Sequence, residues 1–74
     1  AMAHNTIKKT LSGPLKLYSS LRFMEKGITR IKSGTDVTLE DTGKIHIDSE
    51  GNSHRVFRIR KNTRNYYTLE SLIK

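Results

Sequence analysis

The chain has 74 residues, of which 34% are hydrophobic, and 14 Lys and Arg against 7 Asp and Glu give a formal net charge of +7. A chain of this length forms one domain at most, and the absence of cysteine excludes a disulfide-built scaffold and a cysteine zinc site. No apolar run approaches the roughly 18 residues of a membrane span. So basic a protein is expected to bind polyanions such as nucleic acids, anionic membranes or cell-wall polymers.

The N-terminal residues read as a tail. Residues 1–13 begin with Ala1-Met2-Ala3, which resembles a cloning remnant, and contain no continuous apolar segment of a signal peptide. We therefore expect a tail over 1–13 and one module over 14–74. The best helical pattern is brief, from Ser19 to Lys26, and a second short turn is expected over 69–73.

Short segments of alternating apolar and polar residues follow the tail, separated by clusters of Gly, Asn, Asp and Ser. Strands of this length at this spacing are typical of an all-β sandwich or barrel. The segments are 15–18, 37–39, 44–48, 56–60 and 66–69. The predicted core consists of Leu17, Ile31, Val37, Leu39, Ile45, Ile47, Phe57, Ile59 and Leu69.

The central hairpin has the clearest pattern. Alternation puts Ile45 and Ile47 on one face of the first strand, and Lys44, His46 and Asp48 on the other. Gly51 supplies a positive φ for the connection. A loop with an odd number of residues places Ile45 and Ile47 opposite Phe57 and Arg55, so that the apolar side chains of the two strands lie on one face. A shift of one residue would turn every side chain of the strand to the other face.

Catalytic patterns are missing. The chain has three histidines, His4, His46 and His54, but no Gly-x-Ser-x-Gly elbow, phosphate loop or dinucleotide fingerprint. A metal site from His46, His54 and Asp48 is conceivable, but exposed polar side chains are the favoured interpretation. We predict no paired nucleophile and base, no enzyme activity and no cofactor.

A basic cluster is the best candidate site. Arg58 and Arg60 share one face of a strand about 7 Å apart, and no acid lies between Gly51 and Leu69 to neutralise them. Arginine offers a planar fork for phosphates, and tyrosine offers a face for sugars or bases, although at least one of Tyr66 and Tyr67 is expected in the core. The predicted ligand-binding residues are Arg58, Arg60, Lys61, Arg64, Tyr66, Tyr67, Tyr18 and Lys44.

Residues 15–73 resemble the bacterial SH3-type modules, and within them the GW-like cell-wall repeats. The opening Leu-Lys-Leu-Tyr-Ser-Ser of 15–20 is similar to their "LYSS" start, and 28–39 is similar to their strand, turn and strand. Residues 56–61 occupy the position of the "WYKVK"-type strand in these repeats, and residues 66–72 occupy the position of their C-terminal segment. The Gly-Trp pair of these repeats is absent, since Arg64-Asn65-Tyr66 fills its place.

The resemblance implies an SH3-like barrel of about five short antiparallel strands that targets an anionic bacterial cell-wall polymer, teichoic acid or peptidoglycan. Such a module would lie at the cell surface as a fragment of a longer protein. A small nucleic-acid-binding protein is an alternative, because the positive charge alone is sufficient to suggest it. Such a protein would be cytoplasmic if it is free-standing. A protein–protein adaptor that uses a groove or a sheet edge is the third possibility.

Overall fold

The computed structural model describes residues 6–20 and 29–74, and these residues form an all-β structure, as predicted. The helix predicted over 19–26 falls largely outside the described residues. In the described part of the chain, no helix has the length and hydropathy needed to cross a bilayer. The elements are β1 (Thr6–Thr10), β2 (Leu15–Leu17), β3 (Thr29–Ile31), β4 (Asp36–Ile47), β5 (Ser53–Lys61), β6 (Arg64–Leu69) and a 3₁₀ turn (Glu70–Leu72).

The strands form two antiparallel sheets rather than one closed barrel. Four strands lie in the order β1-β4-β5-β6, and β2 pairs with β3. The two sheets touch where Tyr18, just after β2, bridges to Tyr67 on β6 through two backbone hydrogen bonds of 2.8 Å. The Thr68 hydroxyl strengthens this junction by donating to the Lys16 carbonyl at 3.0 Å.

The hydrophobic core lies between the sheets. Seven of the predicted core residues are buried, and the short apolar strands β2 and β3 cover the inner face of the larger sheet. The sequence analysis missed Leu11, Leu15 and Val56, which are also buried. The core cluster is Leu11, Leu15, Leu17, Ile31, Val37, Leu39, Phe57 and Ile59.

Residues 6–10 form the edge strand β1, so the predicted tail is wrong for this segment. β1 pairs with β4 in antiparallel register from Thr6 opposite Glu40 to Thr10 opposite Asp36. The segment holds a single apolar residue, Ile7, and a polar edge strand gives little signal in a hydrophobic pattern. Main-chain hydrogen bonds along β4, rather than side-chain burial, hold it in the sheet.

The central hairpin departs from its predicted register. Its loop does have an odd number of residues, and Gly51 has the expected positive φ of 84°. A bulge between Asp41 and Ile45, however, puts Asp41 opposite Phe57 and Ile45 opposite Arg55. Beyond the bulge β4 and β5 form a two-stranded ribbon, residues 44–55, where neither β2 nor β3 covers the isoleucines. Ile45 and Ile47 are therefore 55% and 58% exposed, and their predicted burial is wrong.

Candidate polyanion-binding face

A row of polar side chains crosses the outer face of the four-stranded sheet. Because Ile59 points into the core, Arg60 next to it points outward. Arg60 lies opposite Asn65 on β6, and Thr38 of β4 lies opposite Lys8 of β1. Thr38, Arg60 and Asn65 line one open hollow of about 760 Å³. We call Lys8, Thr38, Arg60 and Asn65 the outer row.

Arg58 lies on the same face but is paired with an acid. It is opposite Glu40 on β4, and its Nε and Nη2 both donate to Glu40 Oε1, the former at 2.6 Å. The hydrogen bonds that Arg58 donates to the Glu40 carboxylate raise the pKa of Arg58, and a smaller contribution comes from a hydrogen bond with the Tyr67 hydroxyl on β6. With a side chain only 35% exposed, Arg58 is not the solvent-facing cation that the sequence predicts.

The turn from β5 to β6 carries cations that have no such acid. Its two central residues, Asn62 and Thr63, both have positive φ, which is the geometry of the tight turns that suit twisted strands. Lys61 and Arg64 face each other across this turn. Within residues 6–20 and 29–74, no carboxylate forms an ion pair with Arg60, Lys61 or Arg64.

A second basic strip lies across β4 from the turn. Lys8 and Lys9 of β1 line a smaller hollow of about 320 Å³ together with Thr10 and the acidic Asp36. Two strand spacings of about 4.8 Å separate Lys8 from Arg60 along the outer row. The sequence analysis missed Lys8, Thr38 and Asn65, because only the strand order shows that these distant segments are neighbours.

The tyrosines are not presented as a binding platform. Tyr18 is buried at the junction of the sheets, and the Lys16 ammonium lies 5.6 Å from its ring centroid. Tyr66 packs against the core cluster, as expected for one of the adjacent tyrosines, and Tyr67 is half-buried beside Arg58. The structure therefore does not gather Tyr18 and Tyr66 with the turn cations into one exposed surface.

Lys44 also lies apart from the outer row. It is exposed in the ribbon, next to Ile45, which pairs with Arg55. Arg55 is five residues along β5 from Arg60, which corresponds to about 17 Å of strand. The structure therefore does not bring the predicted ligand-binding residues together in one place.

A hydrogen-bonded chain links the ribbon to the 3₁₀ turn. His54 Nε2 lies 2.8 Å from Asp48 Oδ2, and His54 Nδ1 lies 3.0 Å from the Ser71 hydroxyl. Ser71 comes from a segment remote in sequence, so the sequence analysis did not anticipate that its hydroxyl lies within hydrogen-bond distance of His54. Among the described residues, no group of three His, Asp or Glu is placed to hold a metal ion, although His46 and His54 face each other with ring centroids 6.3 Å apart.

Comparisons with protein-family models, curated proteins and solved structures give no match for this chain. Its function must therefore be inferred from the site itself.

Proposed function

We propose that this chain is a non-catalytic binding module for an anionic polymer, with bacterial cell-wall teichoic acid as its ligand. The observation that supports this most directly is the set of cations at the β5–β6 turn, namely Arg60, Lys61 and Arg64, which form no ion pair with a carboxylate of residues 6–20 and 29–74. Lys8, opposite Thr38, extends the positive surface of the outer face to β1, whereas Lys9 lies opposite the buried Val37 and therefore on the other face. A chain of phosphates lying along the outer row would meet Lys8 and Arg60, and the turn with Lys61 and Arg64 lies next to Arg60.

The surroundings of these cations favour a polyol phosphate over a nucleic acid. Proteins that bind single-stranded nucleic acid stack bases on exposed aromatic rings. Of the aromatic rings in the described residues, none is exposed, since Tyr18 and Phe57 are buried and Tyr66 and Tyr67 are half-buried. Thr38 and Asn65 instead offer hydroxyl and amide groups beside Arg60, which suits phosphate and polyol oxygens.

The SH3-like barrel belongs to the same proposal. Three backbone contacts outside the two sheets support a barrel-like closure. Leu11 exchanges hydrogen bonds with the turn after β3, through Thr35 and Gly34, and Ser12 donates to the Lys74 carbonyl at 2.9 Å. These contacts bring the end of the chain beside the strand that begins it, and cell-surface targeting is the role we infer for such a module.

The proposal is tested by measuring binding to three polymers: purified teichoic acid, peptidoglycan stripped of teichoic acid, and duplex DNA. The double variant Arg60→Glu/Arg64→Glu should lose teichoic-acid binding, with a decrease in affinity of at least about tenfold. The matched control is Arg30→Glu/Lys32→Glu, which makes the same charge change at and beyond the end of β3. The control should retain most of the affinity.

Salt dependence provides the second measurement. Affinity for a polyphosphate should fall steeply with salt, because each neutralised phosphate releases bound counterions. Equal losses in both double variants would mean that only net charge matters and would contradict a localised site. Tighter binding to DNA would favour the nucleic-acid alternative, and binding unchanged in about 0.5 M salt would favour the adaptor.

A further inference from the structure

The hydrogen-bonded side chains of Asp48, His54 and Ser71 follow one another in the order that activates a nucleophile. His54 Nε2 lies 2.8 Å from Asp48 Oδ2, and His54 Nδ1 lies 3.0 Å from Ser71 Oγ. A hydroxyl within hydrogen-bond reach of a base, with the base oriented by a third group, is the arrangement by which proteins activate serine. We call these three residues the His54 cluster.

The Asp48 carboxylate of the His54 cluster is held in one orientation. Its Oδ1 accepts hydrogen bonds from the backbone N–H groups of Glu50 and Asn52, both at 2.9 Å, while Oδ2 faces His54. The hydrogen bond from His54, followed by the one from Asn52, lowers the pKa of Asp48 to about 2. At neutral pH this carboxylate can only accept hydrogen bonds, so His54 Nε2 carries the hydrogen in their contact.

The contact with Asp48 determines which nitrogen of neutral His54 is basic. With its hydrogen on Nε2, the neutral ring has a lone pair on Nδ1. The Ser71 hydroxyl therefore donates to Nδ1, which places a proton acceptor 3.0 Å from Ser71 Oγ. The His54 side chain is only 18% exposed, and the His46 ring stacks beside it with 6.3 Å between the centroids. These neighbours restrict rotation of the His54 ring away from Ser71.

The 3₁₀ turn positions Ser71 and leaves it open to solvent. Leu72 and Ile73, which follow it, pack against the core cluster, and the Ile73 N–H donates to the Glu70 carbonyl at 3.1 Å. Ser71 itself is exposed. Its backbone is thus anchored, its hydroxyl is directed to His54, and a small molecule in solution can reach it.

We propose that Ser71 is a nucleophile that accepts an acyl group from an activated ester, with His54 as its general base and Asp48 as the residue that positions His54. Ser71 Oγ attacks the acyl carbonyl carbon and forms the new C–O bond, while its proton passes to His54 Nδ1. The bond from the carbonyl carbon to the leaving group then breaks, and the leaving group departs with the electron pair. His54 afterwards releases the proton to solvent.

The product of this step is a single ester on Ser71. The step is a stoichiometric modification of the chain and requires no turnover, so it is compatible with a binding module. It is also independent of the ligand of the outer row. His54 is six residues along β5 from Arg60, which corresponds to about 20 Å of strand.

The test measures the rate at which p-nitrophenyl acetate acetylates each hydroxyl of the chain, by peptide mapping with mass spectrometry, which separates serine esters from acetylated lysines. Ser71 should be acetylated at least about tenfold faster than Ser53, because a positioned base accelerates proton transfer. Ser53 is the internal control, since it is also exposed and lies next to His54 on β5. The variant His54→Gln keeps an amide donor for Asp48 but has no basic nitrogen, and it should lower the rate at Ser71 to that of Ser53.

Two asparagine variants test the positioning role of Asp48. Asp48→Asn should lower the rate at Ser71 at least about tenfold, because an amide does not hold the hydrogen of neutral His54 on Nε2. The matched control is Asp41→Asn, the same change at a carboxylate that contacts Arg55, and it should leave the rate unchanged. Nitrogen-15 NMR of His54 should show the Nε2–H tautomer in the unmodified chain and a changed tautomer balance in Asp48→Asn, an effect that a merely structural role would not produce.

Three results would each overturn the proposal: equal rates at Ser71 and Ser53, an unchanged rate at Ser71 in His54→Gln, or equal losses in the two asparagine variants. Circular dichroism establishes that each variant is folded. The comparison of Ser71 with Ser53 uses the unmodified chain, so it decides the proposal even where a variant does not fold.

Discussion

The body of the four-stranded sheet and the ribbon beyond the bulge have similar sequence patterns and opposite burial. In the body, Phe57 and Ile59 flank Arg58 and are buried. In the ribbon, Ile45 and Ile47 flank His46 and are exposed. The difference is the second layer, because β2 and β3 cover the body and end before the ribbon. An alternating pattern thus predicts which side chains share a face, whereas the covering layer determines which face is buried.

The largest expected effect is in the body. Replacing Phe57 by Ala removes a ring that is 3% exposed within the core cluster. We expect a loss of about 3–5 kcal/mol in the free energy of unfolding, from lost burial and the remaining cavity. Urea denaturation followed by circular dichroism measures this loss. A loss below about 1 kcal/mol would mean that Phe57 is not packed between the two sheets.

Much of the body could be predicted from the sequence, since β-branched and aromatic residues at period two define β4, β5 and β6. The ion pairs between strands could not be predicted, because the register of β4 against β5 shifts at the bulge between Asp41 and Ile45. Residues 52–68 contain no acid, yet Arg58 is paired with Glu40 and Arg55 with Asp41 on the adjacent strand. The outer row depends in the same way on β1, which carries little hydrophobic signal. Register, rather than composition, determines which cations remain without an acid.

The second effect is confined to the ribbon and depends on pH. The hydrogen bond from His54, followed by the Asn52 N–H, lowers the pKa of Asp48 from 3.8 to about 2. A carboxyl with a lower pKa in the folded state stabilises the protein above its unfolded pKa, and the stabilisation disappears as the pH falls from about 4 to about 2. Asp48→Asn keeps an acceptor for the loop amides but cannot titrate.

The measurement for Asp48 is the difference in free energy of unfolding between the unmodified chain and Asp48→Asn at a series of pH values. The difference should shrink between about pH 5 and pH 2, because only the native carboxylate loses its charge there. Other carboxyl groups titrate in both proteins and cancel. A difference that does not vary between pH 5 and pH 2 would show that the contact with His54 does not favour the ionised carboxylate.

A smaller effect distinguishes two ion pairs between β4 and β5, Glu40–Arg58 before the bulge and Asp41–Arg55 across it. Glu40→Gln removes the negative charge opposite Arg58, and both side chains are about one-third exposed or less. After allowance for solvent screening, we expect a loss of about 0.5–1 kcal/mol. The matched change Asp41→Asn affects Arg55, whose side chain is 59% exposed, and should cost less. Urea denaturation of both variants at low and high salt measures the two losses in free energy of unfolding. A larger loss for Asp41→Asn would mean that Asp41–Arg55, and not Glu40–Arg58, is the better-buried ion pair.

The smallest expected effect is on the isoleucines of the ribbon. Replacing Ile47 by Thr keeps a β-branched side chain in the strand and removes apolar surface that is already 58% exposed. The change in free energy of unfolding should stay within about 0.5 kcal/mol, as is usual for surface positions. The same change at Val37, a β-branched residue of β4 that is 8% exposed, should cost about 1–2 kcal/mol, because it buries a hydroxyl in the core. The ratio between the two losses in free energy of unfolding compares the part of β4 that β2 and β3 cover with the part that they leave exposed. Equal losses would mean that the ribbon is packed as tightly as the body.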